Sequence, residues 1–290
     1  MHYSETGATR FDYTIGRLHT MAGPRSALAV RAVLRPHLIA KALITRFSLG
    51  SFEFRLALDA LPRPAYGYGV YHAAQLAARL KIPEIAVLEF GVASGAGLVE
   101  MERVAAEVAR VSPTRIKVYG FDTGVGLPEH SDYRDLPYIW RRGHYEMDVA
   151  AVKRRLRGAE LVLGNVTATV PQFLAKLDVP IGFISFDLDY YSSTTAAFGV
   201  FDGPDSCYLP RVLCYFDDIV GSDSQLHCED VGELLAIAEF NRSPSGHRIR
   251  PIHGLSSKRL LPSAWAPQMF AYHRFDHPRY SEYIGRPKTL

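Results

Sequence analysis

The chain has 290 residues, is 48% hydrophobic, and sets 33 Lys and Arg against 30 Asp and Glu, a formal net charge of +3. Length allows one core domain with an extension, and ordinary hydrophobicity excludes a disordered chain. The balanced charge excludes nucleic acid as an electrostatically recruited partner. No leader pattern opens the sequence and no run of about 18 apolar residues marks a membrane span. Cys207, Cys214 and Cys228 are odd in number and lack zinc-type spacing. They therefore suggest neither a disulfide framework nor a thiolate metal site, and read as reduced thiols of a cytoplasmic protein.

Residues 1–24 are polar and irregular. Over 26–47 apolar residues recur with helical period, interrupted by Pro36. The stretch 13–52 holds no Asp or Glu, yet includes Arg17, Arg25, Arg31, Arg35, Lys41 and Arg46. We read an amphipathic packing or dimerisation helix with a solvated basic face, in preference to a helix lying on a membrane. This gives an N-terminal helical extension over 1–64, serving as lid or dimer contact, and a core domain over 65–290.

The core alternates. A helix over 71–81 is stopped by Pro83. Strands are then expected at 85–92, 116–123, 161–166, 181–189 and 212–219, separated by helices at 96–110, 147–156, 170–177 and 193–200. A helix at 229–241 precedes two final strands, 248–255 and 264–275, that can pair as a hairpin. Strands alternating with helices predict an α/β, Rossmann-like sheet of seven strands, the last antiparallel, with helices on both faces.

The chemistry gathers at strand ends, where ligands of open α/β sheets bind. The first strand runs into Glu89-Phe90-Gly91-Val92-Ala93-Ser94-Gly95-Ala96-Gly97. Its glycines allow a sharp turn and close backbone approach to a ligand, but their spacing is not the dinucleotide G-x-G-x-x-G. Glu89 is a carboxylate inside an apolar strand and needs a partner; the amine of an amino-acid ligand suits it. The second strand ends at Asp122, where an acid can accept both hydroxyls of a ribose or cap a helix. Two further apolar runs end in Asp187-Leu188-Asp189 and Asp217-Asp218. Clustered carboxylates repel unless a cation compensates them. Residues i and i+2 of a strand share a face, so Asp187 and Asp189 are expected to converge, with Asp218 one strand away. All-oxygen ligation with open positions suits Mg²⁺, and less well Ca²⁺ or Mn²⁺.

Glu89-Phe90-Gly91-Val92, Gly120-Phe121-Asp122-Thr123-Gly124-Val125-Gly126-Leu127-Pro128-Glu129, Phe186-Asp187-Leu188-Asp189-Tyr190-Tyr191-Ser192-Ser193-Thr194 and Phe216-Asp217-Asp218 closely resemble the macrocin O-methyltransferase (TylF/MycF-like) family. The likeness spans roughly residues 65–255. Trp140-x-x-Gly143 and the segment from Gly164 to Pro171 extend it. The resemblance implies a class I S-adenosylmethionine enzyme, aided by magnesium, that methylates a hydroxyl of a sugar or related polar small molecule. It implies Glu89, Gly91 and Asp122 around the cofactor, with Ser94 and Gly95 of the same turn beside them. It also implies Asp187, Asp217 and Asp218 as metal ligands and Asp189 as general base. His144, and after it His130, is the alternative base. The C-terminal His273 and His277 read as packing residues.

The chain departs from the family where Tyr208-Leu209-Pro210-Arg211 replaces a Gly-Gly approach to the last parallel strand and Ile219 replaces a Tyr after the Asp-Asp pair. These changes bear on the acceptor more than on the metal. Competing readings are a metal-dependent glycosyltransferase using Asp-x-Asp, a hydroxylase-type relative on the same scaffold, and a non-catalytic cofactor-binding protein. A homo-oligomer through the N-terminal helices is also expected.

Overall fold

The computed structural model describes residues 36–285. The chain divides into two compact units, one ending at Ala60 and one beginning at Leu61. In the first, helix α1 (Pro36–Phe47) and helix α2 (Phe52–Ala57) are described. Ser51 caps α2 by accepting the Phe54 N–H at 3.2 Å, as N-cap serines do. The expected helical turns before Pro36 lie outside the described residues.

The second unit begins with helix α3 (Pro64–Arg79), strand β1 (Glu84–Phe90), helix α4 (Ala96–Val111), strand β2 (Arg115–Asp122) and helix α5 (Val149–Arg155). Strand β3 (Glu160–Leu163), helix α6 (Val166–Leu174), strand β4 (Ile181–Phe186), helix α7 (Tyr191–Ala197) and strand β5 (Tyr208–Phe216) follow. Helix α8 (Gly232–Arg242), strand β6 (Arg248–Pro251) and strand β7 (Met269–His273) complete it. The seven strands form one sheet in the order β3-β2-β1-β4-β5-β7-β6. Strands β1 to β5 pair in parallel, and β7 runs antiparallel to both neighbours. This is the expected α/β sheet with its antiparallel strand. No described helix is long and apolar enough to cross a membrane.

Strand β5 starts at Tyr208, before the expected 212, while β6 ends at Pro251 and β7 spans only Met269–His273, both shorter than expected. Three further boundaries differ for identifiable physical reasons. Helix α3 starts at Pro64, seven residues before the expected 71, because proline is well placed in a first helical turn and the Ala- and Gly-rich sequence blurs its apolar period. Helix α6 starts at Val166, four residues early, where the Asn165 side chain accepts the Thr167 N–H at 2.9 Å. Strand β4 ends at Phe186, so Asp187, Leu188 and Asp189 lie beyond it, with Asp189 in the left-handed region at φ 59°. The i, i+2 argument for Asp187 and Asp189 therefore does not apply.

The central strands are predominantly apolar, as strands covered on both faces are, and all six residues of β4 are buried. Four phenylalanines lock their register. Phe121, Phe90, Phe186 and Phe216 are paired neighbours across β2, β1, β4 and β5. Their rings stack in sequence, with centroids 4.7, 5.4 and 4.8 Å apart. Each such pair contributes about 0.5–1.5 kcal/mol beyond its buried area. The next residues in the chain are Asp122, Gly91, Asp187 and Asp217, so one aromatic row presents all four at one edge.

Candidate functional site

At that edge lies a cleft of about 720 Å³. Glu89, Gly91, Ser94, Asp122, Asp187, Asp189, Asp217 and Asp218 all line it. Gly95 does not; it is the N-cap of α4 at φ 78°, and a Cβ there would lie 2.9 Å from Val152. His144 is not a lining residue either, whereas its neighbour Tyr145 is. His130 also lies outside the lining, beside Glu129 at 3.9 Å.

The β1–β2 side is organised by hydrogen bonds within the protein. Gly91 has φ 85°, and a Cβ there would stand 1.8 Å from the Asp187 carbonyl oxygen, so only glycine fits. The Asp122 carboxylate accepts the backbone N–H groups of Val92 and Ala93 at 2.9 Å each and that of Gly124 at 2.7 Å. It therefore fixes the glycine turn, with lone-pair capacity remaining for about one further donor.

Glu89 is buried. Its Oε1 accepts the Tyr66 hydroxyl at 2.6 Å, while its Oε2 has no hydrogen-bond partner among the described residues. The Tyr66 hydroxyl itself accepts from Ser185 at 3.1 Å, and the Arg63 guanidinium sits 5.1 Å from the Tyr66 ring centroid. Burial pushes the Glu89 carboxyl up to about 8, against the lowering effect of the Tyr66 bond. An orphaned buried carboxylate oxygen facing a cleft calls for a cationic or donor group from a ligand. Tyr66 was not singled out by sequence because it belongs to a helix 23 residues upstream.

The β4–β5 side is arranged oppositely. One oxygen from each of Asp187, Asp217 and Asp218 lies within 4.8 Å of the other two. Oxygens sharing one Mg²⁺ lie at most about 4.2 Å apart and those sharing Ca²⁺ about 4.8 Å, so the group fits a hard cation after little movement. Asp217 Oδ1 accepts the Tyr215 hydroxyl at 2.6 Å. Asp218 Oδ2 accepts the Asp189 N–H at 2.8 Å, and the Asp218 N–H donates to Glu233 Oε2 at 3.0 Å. Among the described residues, Arg63 is the cation beside the group, with its Nη1 3.9 Å from Asp187 Oδ2.

Burial and mutual repulsion raise Asp187, Asp189 and Asp218. Asp187 and Asp218 stand well above the usual carboxylate range, from burial first and then from their acidic neighbours. Asp189 is pushed up to about 7 by burial, then by Asp187. Glu233, fully buried in the first turn of α8, stands well above as well, from burial and then Asp218. Burial first, and then the charges of Asp189 and Asp218, push the Tyr145 phenol up to about 12. Asp189, in a left-handed turn, is not one of the three convergent carboxylates, although it bonds Asp218 through its N–H and its side chain.

No protein-family model matches the sequence, so the family resemblance rests on the motifs quoted above. No curated protein matches it either. Among solved structures the chain is similar to the O-methyltransferase NovP, with 13% identity over 73% of this chain and 80% of that one, at a TM-score of 0.50. It is also similar to the calicheamicin methyltransferase CalS11, with 19% identity over 95% of each chain and a TM-score of 0.47. A third similar structure is the mycinamycin-pathway methyltransferase MycE with Mg, S-adenosylhomocysteine and mycinamycin VI, at 11% identity over 75% of this chain and 51% of that one, TM-score 0.36. Together with the strand order, the NovP likeness identifies a Rossmann-like methyltransferase fold.

Proposed function

We propose that the protein is an S-adenosylmethionine-dependent O-methyltransferase, assisted by a divalent cation, that acts on a hydroxyl of a sugar or related polar small molecule. The observation that carries this reading is the orphaned Glu89 Oε2 beside the glycine turn, with a three-carboxylate cluster across the same cleft. The O-methyltransferases among the similar structures agree with it.

Glu89 would accept the amine of the cofactor's amino-acid portion, while Gly91 and Ser94 let the turn come close and Asp122 offers its remaining lone pair to a ribose hydroxyl. Asp187, Asp217 and Asp218 would hold the cation. When bound, the sulfonium supplies an electrophilic methyl group and the cation lowers the pKa of the acceptor hydroxyl. Asp189 then takes the hydroxyl proton, its elevated pKa matching a base that works near neutrality. His144 lies outside the cleft lining, so Asp189 is preferred to it for that proton. Because the methyl group is already activated, orienting the acceptor oxygen in line supplies much of the rate.

A glycosyltransferase would need Asp187 and Asp189 to share an ion. The convergence of Asp187 with Asp217 and Asp218 instead favours methyl transfer. The 1–64 extension is assigned the part of lid or dimer contact. Described helix α1 has no buried residue and exposes Leu43 and Phe47, and light scattering of the full chain checks the dimer.

Calorimetric titration with S-adenosylhomocysteine tests the reading. One molecule per chain is expected to bind, at least 10-fold more weakly in Glu89→Gln. Absence of binding would overturn the methyltransferase assignment.

A further inference from the structure

A second cavity, of about 520 Å³, lies away from the strand-end cleft and shares no lining residue with it. Helix α3 forms one wall with Tyr68, His72, Leu76 and Arg79, a single stripe at helical spacing. The sheet forms the other. Pairing of β5 with β7 sets Arg211 beside His273 and Leu213 beside Ala271, on one face. His253, following β6, adds a third imidazole.

Among the described residues the lining has two arginines and three histidines but no Asp or Glu. Arg211 is held in place: its Nη1 donates to the Tyr280 carbonyl at 3.0 Å, and its guanidinium sits 5.0 Å from the Tyr280 ring centroid. Its Nη2 is buried and has no hydrogen-bond partner among the described residues. A buried guanidinium N–H without an acceptor is costly, and Arg is shaped to receive a carboxylate with two parallel bonds. Arg79 gives Nη1 to the Ile284 carbonyl at 3.3 Å, and no carboxylate among the described residues pairs with it. His273 is lowered by burial and then by Arg211. Tyr68, Leu76, Leu213 and Ala271 make the remaining surface apolar.

We propose that this cavity is a binding site for a small anion with an apolar body, an aryl or alkyl carboxylate whose charge meets Arg211 and Arg79 and whose hydrocarbon part lies between α3 and the β5–β7 face. The site is independent of the cofactor reading, since the two cavities have no residue in common.

The probe is 2-naphthoate, titrated by calorimetry into the full chain with saturating S-adenosylhomocysteine present. One molecule per chain is expected to bind. Affinity should fall at least 10-fold in Arg211→Gln and in Arg79→Gln, and the neutral 2-naphthamide should bind at least 10-fold more weakly. Arg79 is an exposed helix residue, so that variant should keep the wild-type melting temperature even if Arg211→Gln folds poorly. No saturable 2-naphthoate binding, equal binding of the amide, or unchanged affinity in Arg79→Gln would overturn the proposal. Inorganic phosphate binding as tightly as 2-naphthoate would overturn the need for an apolar body.

Discussion

The two halves of the strand-end cleft hold their carboxylates in opposite ways. At β1 and β2, Asp122 is surrounded by three backbone N–H groups and Glu89 by the Tyr66 hydroxyl. At β4 and β5, Asp187, Asp217 and Asp218 face one another. The first half is completed by the protein, leaving one oxygen of Glu89 over for a ligand. The second half is a concentration of like charge that meets one guanidinium, Arg63, and single donors from Tyr215 and the Asp189 N–H. Burial alone does not distinguish them; hydrogen-bond accounting does. The lesson is that a strand-end acid signals a cation only when the protein has not already supplied its donors.

Substitutions can break this contrast. The largest effect is expected on the second half. Asp187→Asn or Asp217→Ala should lower methyl transfer by about 10³-fold, equivalent to ~4 kcal/mol in the barrier, and remove its response to Mg²⁺, with S-adenosylhomocysteine affinity nearly unchanged. Asp189→Asn should lower kcat by about 10²–10³-fold, the range of a lost general base, and keep the Mg²⁺ response, separating the base from the ligands. Gly91→Ala should destabilise the fold by about 3 kcal/mol, read from denaturant unfolding, since it combines a forbidden φ with a backbone clash.

Smaller effects sharpen the first half. Glu89→Gln should weaken S-adenosylhomocysteine binding by about 10–100-fold, or ~1.4–2.8 kcal/mol. The same variant tests the electrostatics. Glu89 and Asp189 have folded pKa values raised to about 8 and about 7, above those of the unfolded chain. Between those unfolded and folded values the folded state binds the extra protons, so stability is fully present below the unfolded pKa and is lost as pH rises through 7 to 8. The metal-free melting temperature should therefore fall from pH 5.5 to 8.5. Glu89→Gln should flatten that slope, and so should Mg²⁺. The smallest effect belongs to Asp122→Asn, which keeps one acceptor oxygen for the turn and should cost about 1–2 kcal/mol of stability, measured by thermal unfolding.

Much of this arrangement was legible in the sequence. The apolar runs located all seven strands, and the Phe-Gly and Phe-Asp steps at 90–91, 121–122, 186–187 and 216–217 marked the edge where the site forms. What the sequence did not reveal depends on contacts between distant segments. Tyr66 and Arg63 reach Glu89 and Asp187 only because α3 begins at Pro64. Glu233 reaches the Asp218 backbone from a helix 15 residues on. The turn at Asp189 is a local backbone choice that an apolar strand pattern does not encode, and it separates Asp189 from Asp187. His144 has a side chain suited to the chemistry, yet Tyr145 at φ 64° is the residue on the cleft. Residue type at one position cannot tell which of two neighbours a loop turns inward.

The most direct test of the contrast is a calorimetric titration of Mn²⁺ into the metal-free protein saturated with S-adenosylhomocysteine. One ion per chain, displaced by excess Mg²⁺ and lost in Asp187→Asn, is the predicted result. No binding, or binding undiminished in that variant, would contradict the account, because the three facing carboxylates would then have no cation to explain them.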